Sequence, residues 1–311
     1  MCGSWRQNLR WEAWTADRDS RLNVPMSTHE PLPDRPPAKA SWTEVSIYFV
    51  LAFAISWGGV AAVVGFDGFP GTAEDFRVLL PMVVIAMLAG PSVAGVAVTA
   101  LFFGKRGLHD LWDRFRAGRV GARWYAVALL TAPLVVLGVL SALSLMSSVF
   151  QPGVLTASDP STHLVLGLVT GIVAGLFEEL GWTGFAVPRL RLRYGVVVTG
   201  LIVGLVWGAW HLLVVWWGSA DTSGSLSMAV YLPAMAFSFL VPYRVLMVWV
   251  YDRTASLPLA MGMHASLTAS VRIFDPVPIS GWSIVLYNLV LGAVLWVVVA
   301  AVATAFLAPA K

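Results

Sequence analysis

Cysteine is nearly absent: Cys2 stands alone in 311 residues. That excludes a disulfide framework, a cysteine-rich zinc site and a buried thiol nucleophile. Charge is scarce as well, at 12% of residues against about 25% in an ordinary soluble domain. Several catalytic signatures are missing: there is no HExxH, no GxSxG and no pair of aspartates inside an apolar run. No repeat with a period of about 20–50 residues is present, which sets aside solenoids and propellers. What fills the chain instead is apolar. Hydrophobic residues make up 58% of it and the mean hydropathy is +0.76. No water-soluble fold could hide that much apolar surface, so the solvent for most of the chain is lipid.

The net charge of +3 and pI of 9.2 do not point to nucleic acid. The basic residues sit in short loops between apolar runs, which is how membrane topology is written. A spanning helix needs about 20 mainly apolar residues. The hydrophobic pattern predicts about eight: 44–65, 78–103, 124–149, 162–186, 195–217, 228–250, 256–272 and 282–307. The expected fold is an all-α polytopic membrane protein with a polar intramembrane site. Residues 1–40 are polar and rich in proline (Pro25, Pro31, Pro33, Pro36, Pro37) and read as a disordered cytoplasmic tail, with Met26 as an alternative start. Residues 41–311 then form the transmembrane domain.

One set of loops carries Lys105, Arg106, Arg114, Arg116, Arg119, Arg123, Arg189, Arg191, Arg193 and Arg253. The other carries Asp67, Glu74, Asp75, Asp159, Asp221 and Asp275 against only Arg77 and Arg272. With the basic loops inside, eight spans put both termini in the cytoplasm of a bacterial plasma membrane. The stretch 105–119 repeats Leu108, Leu111, Trp112 and Phe115 at helical spacing between basic residues, and is read as an amphipathic helix on the inner leaflet.

An ionisable side chain inside a bilayer costs roughly 2.5–3.5 kcal/mol on insertion scales, so each one calls for a reason. The expected spans contain Glu178 and Glu179, then His211, Arg244 and His264. Each has a bland alternative: a solvated helix end for the carboxylates, an interhelical hydrogen bond for a histidine, a snorkelling helix end for Arg244. Phe177, Leu180 and Trp182 around the glutamates argue against a solvated boundary. Two glutamates and two histidines on three helices suggest one shared centre. A carboxylate in a low-dielectric site can take a proton from water, and a neighbouring histidine can donate to an oxyanion. Glu178, His211 and His264 could equally be ligands of a divalent metal such as zinc. A proton relay in a transporter uses the same residue types. The residues by themselves establish a buried acid–base site.

At these positions the sequence resembles the CPBP family of intramembrane proteases, which includes the CAAX prenyl endopeptidases and lysostaphin resistance protein A-like proteins. The family carries EExxxR, then FxxxH, then HxxxN. Here the three read EELGWT (178–183), followed by GFAVPRL, then WGAWH (207–211), then HASLT (264–268). Order and spacing match over about residues 120–272. The resemblance implies an endopeptidase in which Glu178 activates water while His211 and His264 orient it or stabilise the oxyanion. Glu179 would help position the substrate or the site. It leaves metal dependence open and implies a membrane-associated peptide or protein substrate, with the CAAX type as one candidate, besides the surrounding lipids.

Three positions depart from the pattern. Thr183 replaces the motif arginine, Thr268 replaces the asparagine but keeps a hydrogen-bonding group, and Trp207 replaces the phenylalanine. Arg244 is expected to supply part of the missing charge beside Glu179. A catalytically silent family member acting as an immunity or partner-binding protein is the first alternative, and a proton-coupled transporter the second. One geometric tension follows from the expected spans. Glu178 and His264 fall roughly 12 Å from the basic ends of their helices, but His211 falls about 24 Å from its own.

Overall fold

The computed structural model describes residues 42–277 and 279–307. The expected tail at 1–40, and with it Met26, lies outside the described residues. The helices are α1 (Trp42–Val64), α2 (Ala73–Arg116), α3 (Ala122–Ser144), α4 (Pro160–Gly181), α5 (Val196–Trp217), α6 (Met228–Phe237), α7 (Leu240–Thr254), α8 (Leu257–Phe274) and α9 (Gly281–Leu307). A π-helical turn, Trp182–Ala186, and a last α-turn, Val187–Arg191, carry α4 onward. No strand occurs among the described residues. This is a polytopic all-α membrane protein.

Seven segments are long and apolar enough to cross a bilayer: α1, α2, α3, Pro160–Arg191, α5, Met228–Thr254 and Gly281–Ala305. They correspond to seven of the eight expected spans. The eighth is present as a helix, α8, but does not meet the same apolar standard. His264, Ser266, Thr268, Ser270 and Arg272 dilute its hydropathy. Its polar content is tolerable because α8 packs inside the bundle against α4 and α3 rather than facing lipid. The Met228–Thr254 segment is the other interior element, with 78% of its apolar window buried against 22% for α1. Arg244 therefore sits at the centre of the protein and not at a helix end.

The close pairing of α4 with α8 is written in small residues. A Cβ on Gly175 would lie 2.4 Å from the Met261 carbonyl oxygen and 2.9 Å from the Ala265 nitrogen, so only glycine lets the backbones meet here. That contact brings the glutamates of α4 to the level of His264.

Gly104 breaks α2. Its backbone (φ 57, ψ −151) lies in a region open essentially to glycine, and the chain changes direction before continuing to Arg116. The part after Gly104 is the expected amphipathic helix. Its Leu111 packs with Leu257 and Met261 of α8, with Phe115, Leu176 and Leu180 around them, and Trp112 faces outward.

The tension over depth disappears for a physical reason. The expected fourth span stops at 186, but α4 runs through its π turn to Arg191. This places Glu178 about 20 Å from that end, close to the roughly 22 Å between His211 and Val196. At the start of α8, Ser256 and Leu257 are fully buried, so that helix begins below the surface. His264 needs only about two turns to reach the same level.

Candidate active site

Two adjacent carboxylates leave α4 just before its π turn and meet different surroundings. Glu179 is fully buried and heavily bonded. Arg244 Nη1 donates to its Oε1 and Oε2, each at 2.8 Å. His264 Nδ1 lies 2.7 Å from Oε1, and the Thr183 hydroxyl donates to Oε2. Thr183 can do so because it lies inside the π turn, whose wider winding aims it back at its own helix. Glu179 is thus neutralised by a guanidinium and tied to three helical segments.

Glu178 is nearly free by comparison. Its Oε2 accepts the Trp207 indole N–H at 2.7 Å, and its Oε1 faces His264 Nε2 across 3.8 Å. It is 4% exposed where Glu179 has no exposure, so it is the carboxylate a water could approach. One charge-assisted hydrogen bond on the first carboxylate and four on the second make two chemically different groups.

Trp207 is the hub. Besides holding Glu178, its ring lies 4.1 Å below the Arg244 guanidinium, 5.2 Å from the His264 ring and 5.4 Å from that of His211. His211 joins through backbone: its Nδ1 is 2.8 Å from the Trp207 carbonyl oxygen. Among the described residues it makes no hydrogen bond to either glutamate or to His264. Thr268 lies one turn beyond His264 on α8 and makes no hydrogen bond to this network among the described residues. Six expected residues, Glu178, Glu179, Thr183, Trp207, Arg244 and His264, therefore form one connected cluster. His211 borders it and Thr268 stands apart.

Both histidine tautomers follow from their partners. A carbonyl and a carboxylate only accept, so Nδ1 of His211 and of His264 carries the proton and Nε2 of each is the atom left for chemistry. Nδ1–H bound to an acceptor is also how metal-ligating histidines are oriented. As arranged, however, no three His, Cys, Asp or Glu side chains among the described residues stand close enough to share a metal ion. The expected Glu178–His211–His264 ligand set has the right donor chemistry but not the convergence, and no step is derived through a metal.

Two contributors were not visible in the motifs. Tyr243 Oη donates to the Met263 carbonyl at 2.8 Å, which fixes the turn of α8 that carries His264. A tyrosine directly before an in-membrane arginine was the available signal. Tyr48 on α1 is fully buried, packs edge-on to Trp182 at 5.6 Å and against Phe185 at 5.0 Å, and carries a hydroxyl with no partner among the described residues. An apolar run containing one tyrosine gave no sign of this.

Comparison with known proteins agrees with the motifs. Residues 160–270 match the family described as type II CAAX prenyl endopeptidase Rce1-like. This stretch runs from the first residue of α4 almost to the end of α8 and holds every residue of the cluster. CAAX prenyl protease 2 of Methanococcus maripaludis is 20% identical over 207 residues, covering 66% of this chain and 74% of that protein. The helical fold, the order of the three motifs, their convergence on one buried cluster and these matches all support a likeness to the CPBP family of intramembrane proteases.

Proposed function

We propose that the chain is a glutamate-dependent intramembrane endopeptidase that hydrolyses a peptide bond of a membrane-associated substrate, with the CAAX type the leading candidate. The observation that carries this reading is the unequal treatment of the two glutamates. Glu179 is committed to Arg244, Thr183 and His264, which leaves Glu178 held by one oxygen and open at the other. A water hydrogen-bonded to both Glu178 Oε1 and His264 Nε2 fits the 3.8 Å between them.

The steps follow from these groups. Glu178 takes a proton as the water oxygen attacks the peptide carbonyl. His264 Nε2 accepts the second water proton in a hydrogen bond and so fixes the direction of attack. His211, with its proton on Nδ1 and Nε2 free, helps to orient the attacking water from the edge of the cluster. Glu178 then returns its proton to the amide nitrogen, the C–N bond breaks, and the remaining water proton passes from the new carboxyl group to the amine, so that a carboxylate and an ammonium leave. Arg244 and Glu179 hold His264 and Trp207 in place without touching the reacting atoms.

Thr183 and Thr268 could have suggested a silent relative. Thr183 bonds to Glu179 and Arg244 supplies the positive charge there, so the first departure is compensated. That favours an active enzyme over an immunity or partner-binding role, and the commitment of Glu179 and Arg244 to a buried ion pair favours it over a proton-coupled transporter. We further propose that both termini lie in the cytoplasm of a bacterial plasma membrane, which requires α8 to traverse the bundle.

The test is proteolysis in liposomes with prenylated and unprenylated membrane-segment peptides, comparing wild type with Glu178→Gln. General-base catalysis contributes about 10²–10⁴-fold, and a loss in that range is expected. A Glu178→Gln protein as active as wild type would refute the assignment. Chelator added to wild type separates a metal-assisted water from one activated by glutamate alone.

A further inference from the structure

Away from the cluster, at the end of the bundle bearing the basic loop, a half-open cleft of about 270 Å³ is lined by Phe103, Arg106, Gly107, Asp110, Arg114 and Arg189. The Gly104 break creates it by turning the helix 105–116 across the end of α4. Arg189 is fixed there. Its guanidinium carbon lies 4.2 Å from the Phe103 ring centre and 3.7 Å from that of Phe185, and Nη1 donates to the Phe185 carbonyl at 2.9 Å. Its Nε is shielded from water and has no hydrogen-bond partner among the described residues. Arg114 is fixed too, by Nη1 on Tyr251 Oη at 3.2 Å and Nε on the Asp110 carbonyl oxygen at 3.1 Å.

Three guanidinium groups thus line one cleft with a single carboxylate, Asp110. Glu44 is near enough for Arg189 to feel its charge but does not pair with it. Among the described residues none of the three arginines has an ion-pair partner. Arg191, two residues on, shows the contrast: Asp252 takes it at 2.6 Å. Two arginines held in place with a third beside them, none ion-paired among the described residues, in a concave site form an arrangement that recognises a phosphate through several charge-assisted hydrogen bonds. The cleft is too small for a folded partner. Beside it, Trp112 stacks on Phe115 at 5.5 Å and faces outward, as aromatic side chains do at the depth of lipid headgroups.

We propose that this cleft binds a phosphate anion presented by an anionic phospholipid headgroup. The bound phosphate pins helix 105–116 to the end of α4, and through Leu111 to Leu257 and Met261, so it also braces the start of α8.

The test uses the full chain purified in detergent. Retention of phosphatidylglycerol is measured by native mass spectrometry, with phosphatidylcholine as the zwitterionic control. The double variant R106Q/R114Q is compared with R119Q/R123Q, which removes equal charge from the same loop but outside the cleft. Wild type is expected to retain phosphatidylglycerol selectively. R106Q/R114Q should bind it about tenfold more weakly, and at least about fivefold more weakly than R119Q/R123Q. Equal losses in the two variants would mean diffuse surface charge and would overturn the site. No selectivity in wild type would overturn it as well. If millimolar inorganic phosphate or glycerol 3-phosphate displaces the lipid fully, the phosphate site stands and the lipid as its source falls. Displacement by a peptide carboxylate but not by phosphate would overturn the chemistry. R189Q also removes stacking and is informative only beside an unchanged melting temperature, so the surface pair carries the decision.

Discussion

Arg244 Nη1 lies 2.8 Å from both carboxylate oxygens of Glu179, and neither side chain has any exposed surface. The pair joins α7 to α4 at the centre of the bundle. Removing one partner strands a buried charge, which typically costs about 3–5 kcal/mol, whereas removing both can be nearly neutral. Arg244→Ala should therefore lower the melting temperature and folded yield sharply and abolish activity, while Arg253→Ala, at the exposed end of the same helix, should do little. The double variant Glu179→Gln with Arg244→Met should recover much of the lost stability. Thermal melts of the four proteins in one detergent decide it. Equal effects of the Arg244 and Arg253 changes would sink the ion-pair account.

Trp207 offers a cleaner separation of fold from chemistry. Its indole N–H on Glu178 is a bond that phenylalanine could not make, while its ring beneath Arg244 is a contact that phenylalanine could largely keep. Hydrogen bonds to charged groups contribute about 1.5–3 kcal/mol. Trp207→Phe should therefore lower kcat by roughly ten- to a hundredfold with KM and melting temperature nearly unchanged. Steady-state kinetics on any cleaved peptide checks this. An unaltered kcat would reduce Trp207 to a packing residue.

How much of this was legible beforehand follows from which signals are local. The motifs named the cluster because glutamate, histidine and arginine are rare in apolar runs, and Arg244 stood out by charge alone. The amphipathic helix at 105–119 was legible from composition, while the Gly104 break that turns it was not. The depth at which the helices meet was not, because it depends on a π turn that Trp182–Ala186 does not announce and on α8 starting underneath another helix. Of the eight expected spans, α8 is the one that length and hydropathy alone do not mark. Hydropathy measures the tendency to face lipid, and α8 faces protein. Tyr48 escaped notice because nothing in its own helix marks it.

Gly104→Ala tests the break directly. Apart from its own neighbouring backbone, no atom lies within 4 Å of where its Cβ would stand, so the substitution is opposed by backbone conformation alone. Such strain costs on the order of 1–3 kcal/mol. The expected result is a modest fall in melting temperature together with faster proteolytic nicking between 104 and 121, as helix 105–116 loses its seat on Leu257. Unchanged nicking and stability would mean that the chain can turn here without glycine.

Asp275, in the loop after α8, gives the protein a pH dependence of defined sign. Tyr287 Oη donates to its Oδ1 at 2.8 Å. Removal from water pushes the carboxyl up to about 7, against the opposing pull of the Tyr287 bond and the Arg272 charge. An unfolded aspartate titrates near 3.9, so the folded state holds this proton more tightly. Its contribution to stability is complete below about pH 4 and is lost as the pH rises through about 7. Asp275→Asn keeps an acceptor for Tyr287 and cannot ionise. Wild type should therefore melt at a higher temperature at pH 5 than at pH 8 by a margin clearly larger than the variant shows. The two proteins should differ most above pH 7, with the variant the more stable. Parallel melting curves for the two across this range would mean that Asp275 is solvated and ionised like any surface carboxylate.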